Sequence, residues 1–273
     1  MAGFDLSGKV ILVTGATDGL GEAVAVDAAA AGATVLVHGR SPERIKATLE
    51  RVGSASTGEP PRACQADLAS LAEVRGLARD VAEGEPRLDV LVNNAGIGGN
   101  TPGGGERQES QDGHELRFAV NYLAGYLLTR ELIPLLERSA PARIVNVSSA
   151  GQMPLDFDDV MLKHDYSGTR AYCQSKLAQI LFTFDIAGEL AGSGVTATCL
   201  HPSTYMPTKM VQEPISTLEQ GVEATMRLIA DPELEGVTGR YFNVLEDARP
   251  DPQARDPDAR RRLRELSEIL AAG

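Results

Sequence analysis

The sequence predicts one doubly wound α/β domain over residues 1–273, with a parallel sheet of about seven strands and helices on both faces. Two observations support this fold class. Short runs rich in Val, Ile and Leu alternate with longer stretches rich in Ala, Leu and Glu. Such an alternation produces right-handed crossovers, which cover both faces of a parallel sheet. The length and a hydrophobic content of 42% suffice for one packed core.

The predicted strands are short, apolar and bounded by turn residues, as expected of strands buried on both faces. They lie at 9–14, 34–38, 62–66, 88–93, 142–148 and 195–200. The predicted helices lie at 20–31, 42–51, 71–83, 112–137, 172–190 and 259–270. In the last of these, leucines recur at helical spacing, which predicts a terminal helix with one apolar face.

Three segments interrupt this alternation, at 97–113, 152–168 and 203–216. Long loops within a compact domain are more often functional than idle. We therefore expect the second and third segments to line a substrate pocket, with 203–230 acting as a lid. Apolar side chains in these segments fit either a hydrophobic pocket or packing beneath the lid: Met153, Leu155, Met161, Tyr205 and Met210.

Charge and composition exclude several classes of partner. The chain has 38 acidic and 26 basic side chains, and the net charge of −12 disfavours binding to nucleic acid and to anionic membranes. No apolar run is long enough to span a bilayer, and the first residues do not resemble a signal peptide. The 3 cysteines are scattered, which predicts reduced thiols, and the 4 dispersed histidines show no metal-binding spacing. These observations predict a soluble, acidic, cytoplasmic protein and disfavour a metal site.

The first predicted strand runs directly into a glycine-rich turn, TGATDGLG over residues 14–21, and a helix follows. This arrangement directs backbone N–H groups and a helix N-terminus at a pyrophosphate. Glycine is required where a Cβ would block the turn or the ligand. A tight strand-to-helix turn without a ligand would need similar residues. The dinucleotide site that the motif favours comprises Gly15, Thr17, Asp18, Gly19, Leu20 and Gly21.

The residue after the second predicted strand indicates which dinucleotide would bind. Sites of this kind place an acid there for a free ribose 2′-hydroxyl, or a basic residue for a 2′-phosphate. The chain has Arg40 and no carboxylate at this point, which favours NADP(H) over NAD(H). Asp18 is a contrary sign, because its charge would lie near the same phosphate. The alternative is that Arg40 is only a solvated loop charge.

Tyr172 and Lys176, in YCQSK, are one helical turn apart, so both side chains lie on one face of the predicted helix. A second pair at the same spacing, Tyr205 and Lys209, contains Pro207 and is not expected to form a regular helix. Only the first pair is therefore a candidate catalytic unit.

Two other predicted strands end in polar motifs, NNAG over 93–96 and Ser148-Ser149. Because the C-terminal ends of parallel strands border the ligand crevice, these residues are expected near the glycine-rich turn. Together, TGATDGLG, NNAG, FAVNYLAGYLLT, VNVSS and YCQSK resemble the short-chain dehydrogenase/reductase family, in the family's order and over nearly the whole chain. The segments FAVNYLAGYLLT, AYCQSKLAQILFT, GVTATCLHP and GRYF resemble its retinol-dehydrogenase-like members in particular.

The resemblance implies a Rossmann-type fold, a nicotinamide dinucleotide and the interconversion of an alcohol and a carbonyl. It also implies a homodimer or homotetramer formed through the helices at 112–137 and 172–190. Tyr172 would be the general acid/base, with Lys176 as its electrostatic partner. Ser149 would donate to the substrate oxygen, and Asn121 would anchor a water relay. Besides Tyr172 and Lys176, the implied cofactor contacts are Asp67, Leu68, Asn93, Ala95, Gly96, Pro202 and Thr208.

The chain departs from the family after the sixth strand. Pro202-Ser203 stands where the family has Pro-Gly, and the following Thr208 comes one position later than usual. This departure concerns the residues that hold the nicotinamide amide.

The residue types also fit the chemistry without the family. Reducing a carbonyl by hydride produces an alkoxide, which needs a proton and hydrogen bonds. A tyrosine with an ordinary pKa of about 10 is hardly ionised at neutral pH, so we expect the Lys176 ammonium to lower the pKa of Tyr172. Alternatives are a catalytically silent dinucleotide-binding sensor or scaffold, and a sugar-nucleotide epimerase or dehydratase. A serine hydrolase is disfavoured because the chain has no G-x-S-x-G motif.

Overall fold

A computed structural model of the chain describes residues 3–99, 106–208 and 213–272. These residues form a sheet with helices packed on both faces. The strands are β1 (Val10–Val13), β2 (Thr34–Gly39), β3 (Arg62–Gln65), β4 (Val90–Asn93), β5 (Ala142–Val147), β6 (Val195–His201), β7 (Arg240–Asn243) and β8 (Glu246–Asp247). The α-helices are α1 (Gly19–Ala30), α2 (Pro42–Ala55), α3 (Leu71–Gly84), α4 (Ala124–Arg138), α5 (Gly168–Glu189), α6 (Leu218–Ala230) and α7 (Pro257–Ala272).

The sheet has the strand order β3-β2-β1-β4-β5-β6-β7-β8. Neighbouring strands from β3 to β7 are parallel, and β8 pairs antiparallel with β7. The predicted doubly wound parallel sheet is confirmed. Two of the observed strands have no counterpart among the six located in the sequence. These are β7, whose two end residues are exposed, and the two-residue β8, which is exposed and polar and therefore leaves no hydrophobic pattern to detect. The winding direction changes between β1 and β4, and doubly wound sheets bind ligands in the crevice at that point.

The strands bury side chains on both faces. Leu12, Leu36 and Leu91 pack toward α3, α4, α5 and α7 on one side. Ile11 and Val35, from adjacent positions, pack toward α1 and α6 on the other. Because successive side chains of a strand point to opposite faces, a strand between two helix layers must be apolar throughout. This explains the uniformly apolar runs in the sequence.

Most of the helices begin at a side chain that accepts a hydrogen bond from a first-turn N–H group. These N-caps are Asp18 for α1, Ser41 for α2, Ser70 for α3, Ser167 for α5 and Thr217 for α6. Such caps satisfy donors that have no partner within the helix and stabilise its first turn. They fix where each helix starts relative to the preceding strand.

The helix predicted at 112–137 is shorter than expected and begins differently. The Ser110 Oγ accepts hydrogen bonds from the N–H groups of Asp112 and His114, at 3.3 and 3.2 Å, which holds this stretch in a turn. A π-helical segment, Phe118–Leu123, follows and leads into α4 without a side-chain cap. Such π-helical turns are uncommon and frequently lie at functional sites. Here the turn contains Asn121.

The last helix, α7, packs on α5 and on the segment before α4. The Tyr122 hydroxyl hydrogen-bonds to the Ser267 hydroxyl at 2.7 Å, and Arg264 contacts Asp185 at 3.0 Å. The chain's own C-terminal helix thus covers part of the surface that the resemblance implied for contact between copies. Among the described residues, no helix has the length and hydropathy to cross a membrane.

Candidate functional site

The glycine-rich turn follows β1 and leads into α1 at the ligand crevice. Gly15 and Gly19 adopt positive φ values of 64° and 51°, which favour glycine. A Cβ on Gly21 would lie 2.3 Å from Asn94 Nδ2 and 2.4 Å from the Gly15 carbonyl oxygen, and a Cβ on Gly15 would lie 2.9 Å from Ala95 Cα. The turn therefore packs directly against the segment after β4. The first turn of α1 lies beside the glycine-rich turn. The N-terminus of this helix can therefore bind a pyrophosphate through its free backbone N–H groups.

Thr14 and Asn94 connect these two segments, although the sequence analysis assigned a role to neither. The Thr14 Oγ1 accepts hydrogen bonds from the N–H groups of Asn94 and Ala95, at 2.9 and 3.1 Å. In return the Asn94 side-chain amide donates to the Thr14 carbonyl at 2.8 Å. The signal for Asn94 was its adjacency to Asn93 in NNAG, since neighbouring residues leaving a strand point in different directions.

Asn93 itself points away from the crevice. Its amide donates to Thr129 Oγ1 at 3.0 Å and to Asn146 Oδ1 at 2.8 Å, within the core. Of the predicted cofactor residues after β4, Ala95 and Gly96 therefore lie nearer the crevice than the Asn93 side chain. The side chain of Asn93 instead joins β4 to β5 and α4.

Two arginines lie where the ribose 2′ position is expected. Arg40 follows β2 and is exposed. Arg44, on the first turn of α2, donates to the Thr17 carbonyl at 2.9 Å and pairs with the Asp18 carboxylate at 2.9 Å. Asp18 also caps α1 by accepting from the Gly19 N–H at 2.9 Å. The charge of Asp18, the contrary sign in the sequence, is thus matched by Arg44, a residue that the sequence analysis missed.

His38, another residue without a predicted role, lies between the glycine-rich turn and the end of β3. It is buried in β2, and its Nδ1 accepts the Gly15 N–H at 3.1 Å. Burial lowers the pKa of His38 to about 4, with only partial compensation from the nearby Asp67 charge. The imidazole is therefore neutral at pH 7 and carries its proton on Nε2. Predicted contact Leu68, which is also buried, follows Asp67 at the same rim.

Asn121 joins the segment after β4 to α5. Its Oδ1 accepts the Ile97 N–H at 2.7 Å, and its Nδ2 donates to the Ile97 carbonyl at 3.1 Å and to Ser175 Oγ at 2.9 Å. A Cβ on Gly96 would lie 3.3 Å from Asn121 Oδ1 and 3.5 Å from Lys176 Nζ. The structure therefore brings Gly96, Asn121 and Lys176 together.

The two serines after β5 have different surroundings. Ser148 Oγ donates to the Lys176 carbonyl at 2.7 Å and ties the strand to α5. Ser149 Oγ accepts the Gly151 N–H at 3.0 Å and lies close enough to Tyr172 to lower the pKa of its phenol. Only Ser149 is thus placed beside Tyr172, in agreement with the choice made from the sequence.

Tyr172 and Lys176 lie on one face of α5, with Lys176 Nζ 5.9 Å from the centre of the Tyr172 ring. Burial raises the pKa of Tyr172, an effect larger than the lowering that the Ser149 hydrogen bond causes. The net lowering of the Tyr172 pKa that we expected from Lys176 is not found, because the desolvation of the phenol itself is the largest effect. Lys176 is desolvated as well, which lowers its own pKa to about 7.

The segment after β6 reaches across the glycine-rich turn. The Thr208 methyl carbon would lie 3.2 Å from a Cβ on Gly19, which places predicted contact Thr208 beside α1, while Pro202 is buried at the strand end. Tyr205 is 61% exposed and has a positive φ of 48°. Lys209 and Met210 lie outside the described residues. The proposed lid over 203–230 includes α6, which packs on α1, and its movement stays a prediction.

The residues predicted to line a hydrophobic pocket divide into two groups. Leu155 is buried, and Met161 packs against the same core cluster. Met153 and Tyr205 are exposed, as is Ile215, whose N–H donates to the Tyr205 carbonyl at 3.0 Å. The first group fits packing beneath a loop, and the second leaves apolar surface open near the crevice.

A buried polar network holds the remaining side of the crevice. Arg117 is 1% exposed and donates to the Gly98 carbonyl at 3.0 Å and to Tyr166 Oη at 2.6 Å. The Tyr166 hydroxyl donates to the Glu115 carboxylate at 3.1 Å. These contacts tie the segment after β4 and the segment before α5 to the start of the π-helical turn. The sequence signal for this network was the presence of two charged residues, Glu115 and Arg117, next to an apolar stretch. Charged residues are rarely buried unless they are paired.

Comparisons with known proteins agree with this geometry. The profile of the short chain dehydrogenase family matches residues 9–219. Retinol dehydrogenase 13 of Mus musculus is 37% identical over an alignment of 281 positions, which covers 94% of this chain and 82% of that protein. The crystal structure of an uncharacterized protein from Mycobacterium paratuberculosis has a TM-score of 0.80 at 26% identity, covering 98% of this chain and 95% of that one. The complex of Pseudomonas aeruginosa RhlG with NADP has a TM-score of 0.72 at 25% identity, covering 89% and 98%.

The glycine-rich turn at the sheet's switch point, the Tyr172–Lys176 pair on α5 and the family match describe the same region of the chain. The resemblance noted in the sequence is thereby confirmed, including the similarity to retinol dehydrogenases. The chain belongs to the short chain dehydrogenase family and is an NAD(P)-dependent oxidoreductase that acts on CH–OH and C=O groups.

Proposed function

We propose that this enzyme uses NADP(H) to interconvert an alcohol and a hydrophobic ketone or aldehyde, with Tyr172, Lys176, Ser149 and Asn121 as its site. The observation that carries the proposal is the placement of the Tyr172 phenol. It lies close enough to Ser149, at the strand ends, for Ser149 to lower the pKa of the phenol, and it is one helical turn from Lys176. A hydroxyl pair beside a buried amine is the donor set that a developing alkoxide needs.

Each of these side chains has a separate task in the proposed reaction. A nicotinamide dinucleotide bound at the glycine-rich turn would supply the hydride for reduction or accept it in oxidation. Ser149 hydrogen-bonds to the substrate oxygen, and Tyr172 donates a proton to that oxygen during reduction and accepts one during oxidation. Lys176 stabilises the phenolate that reduction leaves behind. Asn121, which is bonded to Ile97 and Ser175, keeps the segment after β4 in register with α5 and anchors the water relay.

Charge favours NADP(H) over NAD(H). Arg40 is exposed directly after β2, and the strand end His38-Gly39-Arg40-Ser41 contains no carboxylate. The nearby acid, Asp18, is paired with Arg44 and already satisfies the Gly19 N–H. A guanidinium binds phosphate strongly through paired N–H groups, whereas its hydrogen bond to an uncharged ribose hydroxyl is weaker. RhlG, whose structure is similar, is seen with NADP.

Exposed apolar side chains favour a hydrophobic substrate. Met153, Tyr205 and Ile215 are 38%, 61% and 72% exposed, although large apolar side chains are usually covered. Tyr205 lies near enough to Tyr172 to influence the pKa of its phenol. The relatives named retinol dehydrogenases act on an apolar alcohol by name, which agrees with this proposal. The cytoplasmic location and the homodimer or homotetramer predicted from the sequence remain parts of the same proposal.

Turnover with a panel of hydrophobic ketones and aldehydes tests the site. We expect NADPH oxidation in the presence of such carbonyls, and a loss of kcat of about 10²- to 10⁴-fold in Tyr172→Phe, because the proton donor is removed. NADPH binding, followed by fluorescence, should change little in this variant. Full activity in Tyr172→Phe would contradict the proposal, and binding without turnover across the panel would support the sensor or scaffold instead.

The cofactor preference has its own test. We expect Arg40→Ala to weaken NADPH binding by about 10- to 100-fold and to leave NADH binding nearly unchanged, since one charge-assisted contact is lost. Arg51→Ala is a matched control, because Arg51 is also on the outer side of this region but pairs with Glu22. If Arg40→Ala lost affinity equally for NADPH and NADH, or for neither, the proposed preference for NADP(H) would be contradicted.

A further inference from the structure

Lys176 is buried, and the described acceptors of its ammonium group are neutral oxygens. Among the described residues, its Nζ donates to the Val147 carbonyl at 2.8 Å and to Gln179 Oε1 at 3.0 Å. The side chain is 4% exposed, and desolvation is the cause of its lowered pKa. A buried ammonium in such surroundings depends on hydrogen-bond acceptors to stay charged.

The side chain of Gln179 is oriented with its amide oxygen toward Lys176. It lies three residues after Lys176, on the same face of α5, and is itself 4% exposed. An ammonium can only donate, so the amide oxygen of Gln179 must face it. The same side chain also lines a cavity of about 10 Å³, which Asn121 and Asn93 line as well. That is about the room one water molecule requires.

The far wall of this cavity offers a polar atom. The Asn93 Oδ1 is buried and has no hydrogen-bond partner among the residues that the structure describes. A cavity of this size beside an unsatisfied acceptor suits a bound water. The amide of Gln179 therefore accepts from the Lys176 ammonium and lies beside a cavity lined by the polar Asn93 and Asn121 as well as by apolar side chains.

We propose that Gln179 is a positioning residue, whose amide oxygen keeps Lys176 charged and thereby supports the phenolate of Tyr172. The inference rests on the proposed function, because it assumes that Tyr172 carries the proton. Gln179 touches neither substrate nor nicotinamide in this account, and acts through Lys176.

The neighbours of Lys176 determine in which direction the pKa of Tyr172 should move when the Gln179 amide is removed. The titratable group that faces it is the Tyr172 phenol, on which Cys173 and Tyr205 also act. Its other described neighbours are uncharged: Gly96, Asn121, Val147 and Gln179. Without the amide oxygen the neutral amine is favoured, so less positive charge remains beside Tyr172. The phenol then ionises only at higher pH.

Gln179→Met removes the acceptor while nearly preserving the side chain's volume. We expect the acid limb of the pH profile of kcat for alcohol oxidation to move up by about one unit, with about tenfold lower kcat below that limb. The ultraviolet titration of the Tyr172 phenolate, obtained by subtracting the Tyr172→Phe signal, should move by the same amount. This second readout does not require turnover.

Gln174→Met is the matched control. Gln174 is buried on the same helix, but its amide donates to the Pro154 carbonyl at 2.7 Å instead of accepting from Lys176. We expect its pH profile and phenolate titration to stay at the parent position. If Gln179→Met does not fold, Gln179→Asn, whose shorter side chain withdraws the amide oxygen, should give the same upward shift.

The results for these variants distinguish the role of Gln179 from the proposed function on which that role rests. An unshifted titration in Gln179→Met, with Tyr172→Phe still inactive, overturns the role of Gln179 and leaves the oxidoreductase proposal intact. Equal shifts in Gln179→Met and Gln174→Met would show a general effect of disturbing α5 and would also overturn it. Full activity of Tyr172→Phe would instead count against the proposed function.

Discussion

The two sides of the crevice are held by different kinds of contact. On the cofactor side, the glycine-rich turn meets the segment after β4 at backbone distances, and a Cβ on Gly21 would lie 2.4 Å from the Gly15 carbonyl oxygen. On the substrate side, loops are held by side chains from distant parts of the chain. The Gln152 amide oxygen accepts the Asp251 N–H at 2.7 Å, and the Gln253 amide oxygen accepts the Leu155 N–H at 2.7 Å.

This difference determines what each side tolerates. Contact between backbones leaves no space for an added atom, so the cofactor side depends on particular glycines. Side-chain hydrogen bonds contribute separately, at about 1 kcal/mol each, so the substrate side can lose one and keep its shape. We therefore expect substitutions on the cofactor side to abolish binding, and those on the substrate side to alter substrate affinity first.

The largest expected effect is that of Gly21→Ala. The added methyl group meets Asn94 Nδ2 at 2.3 Å as well as the Gly15 carbonyl oxygen, so the turn must open. We expect NADPH binding to weaken at least about 100-fold and stability to fall by about 2 kcal/mol or more, measured by fluorescence titration and urea unfolding. In Gly188→Ala the new Cβ meets nothing within 4 Å, and α5 should gain about 0.5–1 kcal/mol. If Gly21→Ala bound NADPH as tightly as the parent, the cofactor side would not be less tolerant of substitution than the substrate side.

Arg117→Met tests the buried network on the substrate side. Removing Arg117 leaves the Glu115 carboxylate buried without its ion-pair partner, which is 3.7 Å away, at a cost of about 3–5 kcal/mol. Tyr166→Phe removes hydrogen bonds but no charge and should cost about 1 kcal/mol. In Tyr166→Phe we expect KM for the carbonyl to rise severalfold with the NADPH Kd unchanged. A parallel loss of NADPH affinity would show that the two sides are not separable.

His38 should make the cofactor side sensitive to acid. Its pKa is lowered from 6.5 to about 4 in the folded protein, so the unfolded chain binds the proton first. Stability should therefore fall by about 3 kcal/mol as the pH drops from 6.5 to about 4. His38→Asn keeps an acceptor for the Gly15 N–H and should lose less over this range in urea unfolding. His164→Gln, on an exposed loop, should behave like the parent, and an equal acid response in His38→Asn would contradict the assignment.

The sequence anticipated features that depend on short stretches of chain. Short strand-like runs located β1 to β6 but not β7, and TGATDGLG located the turn after β1. The four-residue step between Tyr172 and Lys176 needs only a helix to place both on one face. Ser149 was chosen over Ser148 by resemblance, and the structure gives the two serines different partners.

Other features depend on neighbours that the sequence does not reveal. Asn93 and Asn94 are adjacent and chemically identical, yet one joins β5 and α4 while the other closes the glycine-rich turn. Arg44 matters only because α2 begins where its side chain reaches Asp18. The π-helical turn around Asn121 replaced the start of a predicted regular helix.

The sequence by itself determined the fold class and the family, and it predicted the reactive groups, because these follow from local patterns of side chains along the chain. Only the tertiary structure decided the charge states of those groups. The pKa of Lys176 falls and that of Tyr172 rises because residues from separate strands and helices remove water from around them. Desolvation is a property of the assembled interior, and no spacing in the sequence records it.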